Sequence, residues 1–166
     1  MYKRQVKHHG HKGFEIDQPG KDSWRHAQAG SRHVGLISPD AYAEYARTKD
    51  EVPITDMLTR YTDVDAVIVE GYKAAGLPSI VVARSGIDRM RGRDSFALID
   101  ENTLAVACND VVARDFRTRA VKAARAAAED AGRAFDEAEV ELPPFLDIND
   151  SAAIASFVYD HLQKMK

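Results

Sequence analysis

Apolar side chains in this chain follow two rhythms, short continuous runs and stripes at helical spacing. The clearest run is Val-Asp-Ala-Val-Ile-Val at 64–69, almost unbroken as in a strand covered on both faces. Residues 78–83 and 104–108 have the same character, 34–37 make a shorter fourth strand, and Gln5-Val6 reads as the end of a fifth. Amphipathic segments alternate with these runs. That order predicts an α/β fold with a mainly parallel sheet and flanking helices.

The helices carry their own punctuation. Asp22 or Ser23 is placed to cap a helix that runs through Gln28 and stops at Gly30. A second short helix is expected at 54–61. The last follows the capping cluster Asn149-Asp150-Ser151 and sets Ile154, Phe157, Val158, Leu162 and Met165 on one stripe, to lie against the sheet. Residues 111–139 are rich in Ala, Arg and Glu, with Val112, Phe116, Ala120, Ala123, Ala127, Ala131 and Phe135 along one helical face. Such a narrow, mostly alanine stripe buries little area, which predicts a peripheral helix or a partner surface. The glycine-punctuated, charged stretch 85–100 reads as a mobile loop or small excursion between strands. No internal repeat or linker interrupts the chain, so residues 1–166 are expected to form one domain.

Composition narrows the class further. With 166 residues, 45% of them hydrophobic and 30% charged, the chain has the make-up of a soluble protein with a real core. A formal charge of −3 exerts no general pull on nucleic acid, and the positive charge concentrated before Val34 allows only local polyanion binding. The single cysteine, Cys108, excludes an internal disulfide framework and reads as a small buried hydrophobe. No apolar run approaches the roughly 20 residues that span a bilayer, and the opening residues lack the apolar centre of a signal peptide. Neither a membrane nor a nucleic acid is expected as partner, and the expected location is the cytoplasm.

Candidate chemistry concentrates between Lys7 and Trp24, where imidazoles, an acid, a Pro-Gly turn and a Lys-Asp-Ser helix start crowd together as a site for anions. Pro19-Gly20-Lys21-Asp22-Ser23 offers free backbone amides and a lysine to a phosphate, or is a plain capped helix start with Lys21 in water. Glu70, where a hydrophobic strand gives way to Gly71, either holds a magnesium ion or its water, as a Walker-B acid does, or caps the following turn. His8, His9 and His11 near Asp17 resemble a metal tract. Adjacent side chains on a strand point to opposite faces, however, so they cannot all converge on one ion. Asn109-Asp110 after the run at 104–108 supplies either acceptors for guanine N1 and N2 or a helix N-cap.

Taken in order and spacing, these pieces resemble the molybdopterin-guanine dinucleotide biosynthesis adaptor protein B family over nearly the whole chain. The carrying residues are Lys7-His8, Phe14-Glu15-Ile16-Asp17, Pro19-Gly20-Lys21-Asp22-Ser23-Trp24-Arg25 and Ala29-Gly30. Val69-Glu70-Gly71-Tyr72-Lys73, Val82-Ala83-Arg84, Leu104-Ala105-Val106-Ala107 and Leu146-Asp147-Ile148-Asn149-Asp150 continue the series. The resemblance implies a P-loop NTPase-like fold, usually dimeric, that binds GTP with Mg2+ and assists the guanylyltransferase that attaches GMP to molybdopterin. Carried across, Glu70 is the magnesium-associated acid. Gly20, Lys21, Asp22 and Ser23 lie near phosphates, and Lys7 and His8 line the same cleft. Asp17, Gly71, Asn109 and Asp110 complete the expected nucleotide set, with no catalytic residue among them.

Members of that family begin with a strand, a Walker-A loop and a helix ahead of the Lys-His segment. No Gly-x-x-x-x-Gly-Lys-Ser/Thr occurs in these 166 residues, so a shortened domain with weakened nucleotide binding, and little GTP hydrolysis by the chain alone, is expected. A metal-delivery role for the histidine cluster is the competing expectation.

Overall fold

The computed structural model describes residues 2–165, in two compact units that divide between Tyr72 and Lys73. In the first unit, β1 (Lys3–Lys7) and β4 (Ala66–Glu70) pair in parallel, with Lys3 opposite Ala66 and Lys7 opposite Glu70. Tyr2 and Asp65 lock the start of the pair: the Tyr2 amide donates to the Asp65 carboxylate at 2.8 Å and the Asp65 amide to the Tyr2 carbonyl at 2.9 Å. Parallel partners need a long crossover, and here it contains α1 (Asp22–Gln28), β2 (His33–Ile37), β3 (Tyr42–Ala46) and α2 (Ile54–Leu58).

The run at 34–37 does not join a parallel sheet. It forms β2 of an antiparallel hairpin with β3, a strand the hydrophobic pattern did not reveal, turned by residues 38–41. Helix α1 begins as expected but without its expected side-chain cap. Lys21 occupies the N-cap position, and the Asp22 carboxylate, in the first turn where the helix dipole favours it, accepts from the Ser23 amide at 2.9 Å. Past the helix end, Gly30 takes the left-handed conformation with φ of 107°.

In the second unit, β5 (Ser79–Val82), β6 (Thr103–Cys108) and β7 (Phe145–Asp147) form a parallel sheet with β6 in the middle. Val106 is fully buried, and Val81, Ala83, Cys108, Val112 and Phe116 close the core around it. Burial pushes the Cys108 thiol above its ordinary pKa, with Asp110 and Asp147 adding to the effect, as suits a packing residue. Helix α5 (Ser151–Lys164) starts where the capping cluster placed it, the Asp150 carboxylate accepting from the Ala153 amide at 2.8 Å, and packs on β7. Of its stripe, Met165 stays exposed.

Three expectations for this half need correction. In place of a mobile loop, the stretch 85–100 holds a helix, α3 (Ser85–Arg91), and a 3-10 turn at Phe96–Leu98 whose Phe96 and Leu98 pack against the core. The alanine-rich helix α4 (Asp110–Asp130) stops well before residue 139: Gly132 turns left-handed just beyond it. Nor is α4 peripheral. Val112 and Phe116 bury its first turns against β5 and β6, and the buried row continues to Ala128 while Ala123 and Ala127 face water. Among the described residues no helix is long and apolar enough to cross a membrane.

Candidate functional site

The richest polar arrangement lies at the carboxyl ends of β1 and β4. Facing residues of a parallel pair project from the same side of the sheet, so the Lys7–Glu70 register brings the ammonium within 2.8 Å of the carboxylate. One residue on, the His8 amide continues the ladder by donating to the Glu70 carbonyl at 2.8 Å. The imidazole is then held from two sides. Its Nε2 meets a Glu51 carboxylate oxygen at 3.1 Å, and its ring stacks on Tyr72 with centroids 4.3 Å apart.

The chain leaves β4 by a conformation few side chains tolerate. Gly71 has φ of 91°, and a Cβ there would stand 2.8 Å from the His8 Cβ, so only glycine fits. Tyr72 follows at φ of 52°, a left-handed position that strains the backbone of a bulky residue. The Tyr72 hydroxyl reaches the Val52 carbonyl, and burial, then Glu51, raises its pKa.

A second cluster in the same unit forms around Asp17. Its carboxylate accepts from the Gln18 amide at 2.8 Å and the Tyr45 hydroxyl at 3.1 Å. The Ser23 hydroxyl is the largest influence holding Asp17 below the ordinary carboxylate value, working against desolvation. Burial and then Asp17 push Tyr45 upward. Ser23 is 8% exposed, which makes it the buried anchor of the Pro-Gly-Lys-Asp-Ser turn. Gly20 turns left-handed at φ of 90°, and Lys21 makes no ion pair among the described residues, leaving its ammonium available to an anion.

The remaining candidates divide clearly. Asn109 and Asp110 belong to the second unit, where Asn109 caps α4 by accepting from the Val112 amide at 3.0 Å and Asp110 opens the first turn. The histidines do not gather into a ligand set: the His9 and His11 rings meet edge-on at 5.9 Å, and His9 Nδ1 turns to the His11 carbonyl at 3.2 Å. Among the described residues, no group of three or more His, Cys, Asp or Glu could hold a metal ion. Sequence reasoning passed over Glu51, Tyr45 and Tyr72. Tyr72 stands inside a motif that drew attention for its neighbours, whereas Glu51 sits in a polar stretch with no local signal.

Parallel strand pairs joined through helical crossovers define an α/β protein, and polar side chains gather at the carboxyl ends of β1 and β4. Comparison with known proteins gives the family. Residues 3–109 match the model for molybdopterin guanine dinucleotide synthesis protein B, and the chain belongs to that family. A molybdopterin-guanine dinucleotide biosynthesis adapter protein of Haemophilus influenzae is 34% identical over 103 residues, 61% of this chain and 55% of that one. The chain thus spans little more than half of that relative. The Escherichia coli adapter protein is 28% identical over 160 residues, covering 94% of this chain and 74% of its own length. Among solved structures, molybdopterin-guanine biosynthesis protein B superposes with a TM-score of 0.57 at 22% identity, over 98% of this chain and 80% of that one. Bacillus subtilis MobB gives 0.56 at 21% identity, over 96% and 79%. At such identities the structural likeness concerns the fold alone, an α/β architecture with parallel sheets and flanking helices.

Proposed function

We propose that this chain serves as an adapter in molybdopterin-guanine dinucleotide biosynthesis, holding a guanine nucleotide with magnesium at the β1/β4 rim and presenting it to the molybdopterin guanylyltransferase. The observation that carries this reading is the convergence of Lys7, His8, Glu70 and Gly71, far apart in the chain, at the carboxyl ends of one parallel pair. Family membership supports the adapter role.

The donor set supports a loosely held metal at the rim. One exposed carboxylate, with no cluster of three acids or histidines beside it among the described residues, fits a magnesium ion that arrives with phosphates and keeps its waters, not a resident metal cage. Bound there, the ion would neutralise phosphate charge. The chain's own part is to orient. Lys7 would exchange its bond to Glu70 for one to a phosphate oxygen, and the unpaired Lys21 would add a second cation. Glu51 and Tyr72 hold the His8 imidazole in place while this happens.

In this reading the chain works in the cytoplasm as a homodimer. The cross-strand pair Ile37 and Tyr42, 91% and 82% exposed, supports a partner surface on the hairpin.

Fluorescence titration with a labelled GTP, with and without magnesium, tests the site. Wild type is expected to bind more tightly with magnesium and Glu70→Gln to lose that difference; equal affinity under all four conditions overturns the assignment. Co-purification with the guanylyltransferase tests the adapter role, and a clean failure to capture it removes that part.

A further inference from the structure

The second unit contains a cavity that the nucleotide reading does not use. It measures about 330 Å3 and lies between α3 and the first turns of α4, where β5 and β6 end. That is the carboxyl rim of another parallel pair, where open α/β sheets take ligands.

Its floor is apolar, and its rim carries three arginines and three aspartates. Val112 and Phe116, 4% and 3% exposed, form the floor. One wall is preorganised: Arg119 makes two bonds to the Asp94 carboxylate at 2.9 and 2.6 Å, approaches Asp115 at 3.9 Å, and lies 4.3 Å over the Phe96 ring. Those contacts engage two of the three acids lining the cavity.

Arg89 and Arg93 also line the cavity, with Asp88 as the remaining acid and no ion pair to either arginine among the described residues. Their proximity is built into the backbone. Gly92, left-handed at φ of 58°, ends α3 with its amide on the Arg89 carbonyl at 3.4 Å, and the Arg93 amide returns to the Asp88 carbonyl at 2.9 Å. This double closure fixes the backbone that joins the two arginines.

Two unpaired guanidinium groups above an apolar floor suit a ligand with a dianionic head and a flat or apolar body. We propose that this cavity binds an organic phosphate monoester, the phosphate between Arg89 and Arg93 and the body against Val112 and Phe116. The proposal is independent of the β1/β4 rim.

Calorimetry on the full chain with phenyl phosphate, inorganic phosphate and phenol as probes tests it, with amide NMR shifts locating the ligand. Phenyl phosphate is expected to bind saturably, to move the Val112 and Phe116 amides, and to bind at least about tenfold more tightly than either other probe. The double variant Arg89→Ser/Arg93→Ser, whose sites are exposed, should weaken it by about tenfold or more, the order lost with a charge-assisted hydrogen bond. Its circular dichroism should match wild type. Arg133→Ser, at an exposed site outside the cavity lining, should bind phenyl phosphate unchanged. The proposal fails if binding is not saturable, if the double arginine variant binds like wild type, if inorganic phosphate or phenol binds as well, or if only Arg133→Ser abolishes binding.

Discussion

The two units of this chain are held together by different means. Residues 73–165 bury a continuous apolar core on one parallel sheet, from Val81 through Val106 to Phe116. In residues 2–72 the buried apolar side chains among the described residues are small or scattered, namely Ala27, Val34 and Ile54. Order there leans on strand pairing and polar contacts such as Lys7–Glu70, His8–Glu51 and Tyr45–Asp17. Hydrophobic burial contributes far more stability than exposed ion pairs do, so the half carrying the proposed nucleotide rim is the less secured one. Sites that must exchange partners with a ligand are drawn from such regions.

The largest expected effect falls on the second unit. Phe116→Ala removes an aromatic that packs on Val106 and meets Phe96 edge-to-face at 5.2 Å, and should cost about 3–5 kcal/mol in urea unfolding. A loss below about 1 kcal/mol would show that the core does not carry this half. Next comes Gly71→Ala in the first unit. Its Cβ collides with His8, and its left-handed backbone disfavours any side chain, for about 1–3 kcal/mol together with loss of nucleotide binding. Retained binding at wild-type affinity would separate the β4 exit from the site.

The smallest effect concerns charge. Asp94 is held below its ordinary value of 3.8, first by its hydrogen bond to Arg119. A depressed carboxylate stabilises the fold above its unfolded pKa and loses that contribution as pH falls through the folded one, so the effect is present above about pH 4 and fades below it. Solvent screening limits this half-exposed pair to about 0.5 kcal/mol. Urea midpoints of wild type and Asp94→Asn should differ at pH 7 and converge near pH 2; a constant difference would assign the effect to packing.

Local chemistry was readable where it depends on neighbours in the chain. The 64–69 run announced β4, the Asn149-Asp150-Ser151 cluster the start of α5, and Gly30 a helix end, because periodicity and capping are properties of adjacent residues. Which strand pairs with which was not readable in the same way. Val34 to Ile37 has the composition of a buried strand, yet its partner is the weakly patterned Tyr42–Ala46, and only the pairing makes it a hairpin. Glu51 meets His8 only when the crossover brings it there, and the 3-10 turn at 96–98 is placed by Phe96 and Leu98 packing on the core. Propensity and pattern act over a turn or a strand, whereas burial and long-range pairing exist only once the chain has closed on itself.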